Sequence, residues 1–252
     1  MKVTILGSGT SHGVPMIGCT CEVCLSPDPR NRRFRPSICV ENEGRVILVD
    51  TTPELRLQSL AFGLNRVDAV LITHTHADHI FGLDDLRRFN DLSGEVIPVY
   101  GEPAALDDIR RIFPYIFDPP QQGGGTPKLD LLPVPRSFDL FGIHIESFTV
   151  MHGRLPVLAY RFNDAAYVTD TNHIPPESME MLRNLDLLIL DAVRYNPHST
   201  HFGLWQAVEV ADRLKAKRVL FTHLSHHFDH EKTNSELPPH MQLAHDGQVI
   251  EL

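Results

Sequence analysis

The chain has 252 residues, 42% of them hydrophobic and 22% charged, which is enough apolar material for one substantial core and too little polarity for a disordered chain. A formal net charge of -9, from 32 acidic against 23 basic residues, argues against an extended phosphate-binding face and so against nucleic acid as the partner. No apolar run approaches membrane-spanning length, and the first one, Val3 to Leu6, is too short for a signal peptide, so a soluble cytoplasmic protein without a membrane partner is expected.

In chain order, Val3-Thr4-Ile5-Leu6 reads as a strand and Gly7 to Gly13 as a turn-rich loop. Its Gly-x-Gly lacks the third glycine and the following helix of a dinucleotide fingerprint. Three of the four cysteines then fall within Cys19-Thr20-Cys21-Glu22-Val23-Cys24, too close together for a disulfide framework and suited to thiolate metal ligation in a reducing compartment. Arg30, Arg32, Arg33 and Arg35 follow, and the run fits either a phosphate grip or a solvated loop face. Ser37 to Val40 and Arg45 to Asp50 read as strands paired across Glu41 to Gly44. Thr52-Pro53 reads as the cap and first turn of a helix with an apolar stripe of Leu57, Leu60, Ala61 and Leu64, ending near Gly63.

The next strand, Ala69-Val70-Leu71-Ile72, runs into His74-Thr75-His76-Ala77-Asp78-His79. In an extended segment His74 and His76 leave on the same side. Asp78 and His79 follow at a tighter bend, so one hexapeptide can serve two adjacent metal ions. Without metal, the cluster would be costly to bury. Gly82 to Asn90 reads as a short helix, Val96 to Tyr100 as a strand, and Phe117 to Lys128, rich in Pro and Gly, as a mobile loop positioned to cover a site.

In the second half, apolar strands repeatedly end in a potential ligand. Ser147 to Met151 ends at His152, Ala166 to Thr169 at Asp170, Leu187 to Leu190 at Asp191 and Val219 to Thr222 at His223. In layered α/β folds, ligand sites gather at one edge of the strands, and Asp50 and His74 obey the same rule. Asp191 reads as a strand-end cap and His198 as an ordinary loop residue. Leu204, Ala207, Val208, Ala211 and Leu214 form a helical stripe.

Taken in order, His74, His76, Asp78, His79, His152, Asp170 and His223 resemble the ligand motifs of the metallo-β-lactamase superfamily over nearly the whole chain. The resemblance implies an α/β fold, an αββα sandwich of two mixed sheets with helices on the outer faces, formed by a single domain over 1–252. It also implies that His74, His76 and His152 hold one ion, that Asp78, His79 and His223 hold the other, and that Asp170 bridges both. Asp50 would orient a ligand imidazole from behind. Such a ligand set suits Zn2+ or Mn2+, and two ions lower the pKa of a shared water enough to make it a nucleophile.

A narrower resemblance, to phosphodiesterases of the PhnP type, rests on Cys19, Cys21, Cys24 and His226. It implies a structural Zn2+ on three Cys and one His, with His227 competing for the fourth position, and three ions per chain in all. His201 matches a family histidine that contacts the substrate phosphate or protonates the leaving oxygen, so Asp78 and His201 are the candidate catalytic residues. The expected activity is hydrolysis of small phosphodiesters, cyclic ribose phosphates or 2′,3′-cyclic nucleotides among them, and the family implies a homodimer. Two rivals share motifs. Enzymes like tRNase Z carry a long basic arm between the third and fourth ligand motifs, for which residues 153–169 leave only 17 residues. The PqqB family, read as a non-catalytic carrier, has a degraded hexapeptide, whereas this one is intact.

Overall fold

The computed structural model describes residues 1–118 and 125–252. In the first half the chain forms β1 (Lys2–Gly7), β2 (Ser37–Asn42), β3 (Arg45–Val49), helix α1 (Leu55–Phe62), β4 (Ala69–Leu71), the short α2 (Ala77–Ile80), α3 (Leu86–Ser93), β5 (Ile97–Gly101), α4 (Pro103–Ile112), α5 (Pro114–Phe117) and β6 (Leu129–Pro133). The second half contributes β7 (Ser137–Leu140), β8 (Ile143–His152), β9 (Leu155–Phe162), β10 (Ala165–Val168), α6 (Pro176–Met181), β11 (Leu187–Asp191), α7 (Leu204–Leu214), β12 (Val219–Thr222), α8 (His230–Glu236), β13 (Met241–Leu243) and β14 (Val249–Glu251).

Two seven-stranded sheets result, ordered β14-β1-β2-β3-β4-β5-β6 and β13-β12-β11-β10-β9-β8-β7. Each is antiparallel through its hairpins and parallel where helices intervene: β3 to β6 run parallel in one sheet and β10 to β13 in the other. Two hairpins turn through two residues, Glu43-Gly44 and Phe141-Gly142, with every central φ positive. That is the geometry whose twist matches the flanking strands.

Most strands are apolar on both faces because both faces are covered. In β3, Ile47 and Val49 point between the sheets and Val46 and Leu48 outward, while in β11 Leu187 and Ile189 point inward and Leu188 and Leu190 outward. The middle layer joins Val3, Ile5, Ile38 and Val40 to Leu158, Tyr160, Tyr167 and Leu220. Helices α1, α3 and α4 cover the outside of one sheet, and α6 and α7 the other. This is the αββα sandwich the resemblance implies. Among the described residues, no helix is long and apolar enough to cross a membrane.

Three local expectations are corrected. Helix α1 begins at Leu55, not at Thr52-Pro53: Thr52 accepts from the Glu54 N–H at 3.2 Å but caps no helical turn. Most of its supposed stripe faces solvent, with Leu57 48% and Leu60 68% exposed; Leu64, beyond the helix end, packs on the core, and within the helix Leu55 and Gln58 are buried instead. Gln58 is buried because its amide is satisfied by Thr52 Oγ1 at 3.0 Å and by the carbonyl of Arg35 at 3.0 Å. Secondly, the expected helix over Gly82 to Asn90 divides into a 3-10 turn at Leu83–Asp85 and α3. Lastly, the loop expected from Phe117 to Lys128 as a cover begins inside α5, and its residues 119–124 lie outside the described residues.

Candidate metal centre

All the parallel strands that carry expected ligands end at one rim of the sandwich, where the two sheets are stitched together. Tyr160 Oη donates to the carbonyl of Ile72 at 2.7 Å and the Leu158 N–H to that of Thr73 at 3.0 Å, so the segment leaving β4 is fixed to the opposite sheet before it reaches His74. His76 precedes α2, which carries Asp78 and His79 on one short turn. His152 ends β8, Asp170 follows β10 and His223 follows β12. Asp50, Asp170 and His223 all adopt the left-handed backbone, with φ of 62°, 51° and 60°. Each strand therefore breaks at the residue whose side chain must turn inward.

These side chains converge. Asp170 belongs to each of three ligand groups: with Asp78, His79 and His223, with His74 and His76, and with His152 and His201. His79 Nε2 lies 3.4 Å from Asp78 Oδ2 and 3.3 Å from Asp170 Oδ2, and His223 Nε2 lies 3.3 Å from Asp170 Oδ1. The far nitrogens are held from outside. Asp50, fully buried, accepts from His79 Nδ1 at 2.7 Å and from the Thr73 N–H and hydroxyl at 2.8 Å each, which leaves His79 Nε2 as the inward nitrogen. His152 Nδ1 donates to the carbonyl of Thr200 at 2.8 Å, and His74 Nδ1 lies 3.0 Å from Thr73 Oγ1.

The donor set fits divalent ions. Buried Nε2 atoms of His74, His79 and His223 have no hydrogen-bond partner, although buried polar groups are almost always paired. The charges tell the same story. Burial alone would strip protons from His79 and His223 and add them to the aspartates. Instead Asp170, Asp50 and Asp78 hold the His79 imidazole well above its ordinary value, and Asp170 with Asp78 lifts His223 to about 9. The same imidazoles hold Asp78 and Asp170 well below the usual carboxylate range. His74, buried beside His79, is pushed well below. Positive charge is thus demanded at the centre of this cluster, and a divalent ion supplies it with neutral imidazoles.

The cysteines form a second cluster at the same rim. Cys19, Cys21 and Cys24 Sγ lie 3.3, 3.4 and 3.7 Å from His226 Nδ1. Ligands of a tetrahedral zinc at the usual bond lengths stand roughly 3.5 Å apart. The Met16 and Cys24 N–H groups point at Cys24 and Cys21 Sγ, each at 3.4 Å, and the second of these contacts draws the Cys21 thiol down to about 6. Of the two competing histidines, His226 faces the thiols, whereas His227 Nδ1 bonds Ser225 Oγ at 2.9 Å.

Three arginines of the run, Arg30, Arg33 and Arg35, are engaged by the protein itself, and Arg32 is exposed. Arg33 is buried and donates to the carbonyls of Ser225 at 3.1 Å and Phe228 at 2.8 Å, clamping the His226 loop to the N-terminal one. Arg30 pairs with Asp28 and Glu231, and Arg35 with Glu54.

His201 reaches the main cluster from the loop before α7, its ring 4.5 Å from that of His152 and stacked 4.6 Å from that of His223. Asp191, expected as a strand-end cap, does more than end its strand. Its Oδ2 accepts from His201 Nδ1 at 2.9 Å and from the Thr171 N–H at 2.9 Å. His201 therefore presents Nε2 to the site. Asp191 follows the same strand-end pattern as the ligands, and that pattern is the signal the sequence offers for it. His198, expected as an ordinary loop residue, has its ring 5.2 Å from that of His201.

The chain belongs to the metallo-β-lactamase superfamily, for residues 45–224 match the model of a beta-lactamase superfamily domain. Within it the chain belongs to the PhnP family. A solved structure described as a new diphosphatase from the PhnP family is 45% identical, with a TM-score of 0.92 over 99% of this chain and 96% of that one. Among curated proteins, an octanoyltransferase of Porphyromonas gingivalis is 38% identical over 252 residues, which are 98% of this chain and 51% of that protein. A ribonuclease Z of a Bradyrhizobium species is 29% identical over 162 residues, 61% of this chain and 51% of that protein. The chain thus spans about half the length of the first two curated relatives it matches.

Proposed function

We propose that the whole of 1–252 acts as one metal-dependent phosphodiesterase of the cytoplasm, cleaving a phosphorus–oxygen bond in small diesters, cyclic ribose phosphates and 2′,3′-cyclic nucleotides among them. The observation that carries this reading is the pairing of a buried, partner-poor imidazole and carboxylate cluster with His201, whose Nδ1 is engaged by Asp191. In this reading His74, His76 and His152 hold one ion, Asp78, His79 and His223 the other, and Asp170 both. Cys19, Cys21, Cys24 and His226 hold a structural Zn2+. Two divalent ions, Mn2+ or Zn2+, supply an activated water and draw charge from the phosphoryl oxygens.

The chain's own groups do the rest. Asp50 keeps the His79 tautomer fixed, and Asp191 does the same for His201. His201 Nε2 delivers a proton to the leaving oxygen as the ester bond breaks and recovers one from water afterwards. Asp78, on the rim turn, combines ligation with acceptance of a proton from the attacking water.

The similarity to a diphosphatase of the PhnP family supports phosphorus chemistry rather than acyl transfer. The octanoyltransferase relative is about twice as long as the part this chain matches, and its acyl transfer is not carried over. Against a tRNA nuclease stands the segment from His152 to Asp170, which is filled by β9, β10 and tight turns, with no room for an arm. The family's homodimer is part of the proposal, to be checked by sedimentation. The test of function is a panel of small diesters and a precursor tRNA, assayed with Mn2+ and Zn2+ across a salt series. Small diesters are expected to be cleaved with weak salt dependence. A kcat/KM for precursor tRNA above that for every small diester would overturn the reading.

A further inference from the structure

Beside His74 opens a cleft of about 400 Å3, within the roughly 300 to 1,000 Å3 of sites that enclose a small ligand. It lies at the other end of the cluster from His201, which does not line it: the His152 ring pairs with that of His74 at 5.9 Å and with that of His201 at 4.5 Å. Its walls are aliphatic, made by Leu155 to Leu158 of β9 and by Ala104 and Ala105 of α4. Its polar groups are oxygens, among them Glu102, Asp108 and the hydroxyls of Thr75 and Thr149. Apart from the His74 imidazole, it is lined by no basic and no aromatic side chain. Asp108 is already engaged, by Arg111 at 2.7 Å and by Thr75 Oγ1 at 3.3 Å. Glu102 is not: among the described residues no cation lies within ion-pair distance of its carboxylate, and it caps α4 without a side-chain bond. The amino end of α4 does little for an anion, because Pro103 in its first turn has no N–H and Glu102 stands as its cap.

The two ends of the cluster then divide a substrate between them. A leaving oxygen takes its proton at the His201 end, so the ester arm that stays on phosphorus lies towards His74. We infer that the cleft beside His74 receives this retained arm, and that it selects an aliphatic or sugar-like arm bearing hydroxyl or ammonium donors over one bearing a second anion. This rests on the phosphodiesterase reading of the main cluster. The aliphatic walls take the carbon skeleton, the hydroxyls and carboxylates take its donors, and the unpaired charge of Glu102 repels an anion. With no aromatic face to stack on, a nucleobase gains little there, whereas a sugar ring fits. The step balances without a further reactant: water adds to phosphorus, the P–O bond to the leaving group breaks, His201 protonates the leaving oxygen, and the arm in the cleft remains as a monoester.

The test titrates the metal-saturated protein by calorimetry with three phosphonates of similar length, carrying a 3-aminopropyl, a butyl or a 2-carboxyethyl arm. The wild-type chain is expected to bind the ammonium arm at least about tenfold more tightly than the carboxylate arm, the worth of one charge-assisted hydrogen bond. Glu102→Gln should remove most of that ratio and Glu102→Lys invert it. A ratio that survives Glu102→Gln, or that the wild-type chain lacks, overturns the assignment. Should Glu102→Gln weaken all three probes alike, as a misfolded variant would, Ala105→Leu on the aliphatic wall decides. It should weaken butylphosphonate relative to methylphosphonate, and an unchanged ratio of those two overturns the cleft. In parallel, kcat/KM for 3-aminopropyl 4-nitrophenyl phosphate relative to its butyl counterpart, which releases the same nitrophenolate, should fall several-fold in Glu102→Gln. Should the wild-type chain cleave neither ester, the parent reading fails, and a Glu102-dependent ranking of the phosphonates still upholds the cleft. Cleavage of both esters with equal kcat/KM keeps the parent reading and overturns the cleft.

Discussion

The imidazole and carboxylate cluster collects its side chains from the ends of β4, β8, β10 and β12, in both sheets, whereas the cysteine cluster takes three of four from six consecutive residues. The first is therefore erected by the fold itself. Its inner members are buried, and each of several imidazoles is fixed from outside by a group on another element, Asp50 behind His79 and the Thr200 carbonyl behind His152. The cysteine cluster works the other way round. Its loop has little core of its own and is tied down by His226, by Arg33 and by whatever ion the thiols hold. A cluster built by the fold should lose chemistry but not structure when a ligand is removed, and one that builds its surroundings should do the reverse.

The largest expected effect tests the first half of that statement. Asp170→Asn should abolish ion binding in the main cluster and lower turnover on the order of 10³-fold or more, with near-native circular dichroism. Elemental analysis beside a steady-state assay checks it, and a variant that kept both its ions and its activity would break the comparison. Next in size is His201→Ala, expected to keep all ions and to lose about 10²- to 10⁴-fold in turnover, with the smallest loss for nitrophenyl esters whose leaving group needs no proton. Asp191→Asn should lose less, about 10- to 100-fold, as for a group acting through another.

The second half is tested by chelation. Of the three ions proposed per chain, mild chelation should remove two and leave one zinc, because a closed thiolate site holds its ion more tightly than an open one. Cys21→Ser should lose that zinc, melt at lower temperature and become sensitive to proteolysis between β1 and β2, with only a few-fold change in turnover by the mass-action logic of a bound ion. Unchanged zinc in the variant would remove the structural site.

The smallest effect concerns pH. His230 is buried against the cysteine-side loop, its backbone N–H donating to Asn31 Oδ1 at 2.9 Å, and burial beside Arg30 and Arg33 pulls its imidazole down to about 4. The folded state then binds fewer protons than the unfolded chain between about pH 4 and 6.5, so stability rises with pH in that window and is lost as pH falls through it. The loss should amount to on the order of 1 to 3 kcal/mol in urea unfolding, and His230→Gln should flatten it. An equal pH dependence in the variant would assign the acid sensitivity elsewhere.

Much of the main cluster was legible in the sequence because its ligands obey a local rule: an apolar run buried on both faces, then one polar residue at the rim. His74, His152, Asp170 and His223 each stand at such a boundary. The cysteine loop was legible from spacing alone, but its histidine was not, since His226 and His227 are neighbours and only the path of the chain after His223 decides which faces the thiols. Asp191 carried the right local signal, but its pairing with His201, a residue named from the resemblance, could not be read because their meeting depends on the loop between them. Arg33 was hidden for a different reason, since its carbonyl partners lie 192 and 195 residues away. The apolar stripe of α1 failed because Gln58 finds two partners inside, which periodicity does not weigh.

The left-handed backbone at Asp50, Asp170 and His223 has an evolutionary reading. Glycine and asparagine hold such a conformation at least cost, and aspartate and histidine bear more of it. Selection for foldability alone would drift these three positions towards Gly or Asn, and each such exchange would also remove a buried charge. Keeping Asp, Asp and His there means that stability is being given up to retain reactivity. Relatives that have lost the reaction should therefore show the loss first at these rim positions, as small or amide residues on an otherwise intact scaffold, and should outlast this chain on heating.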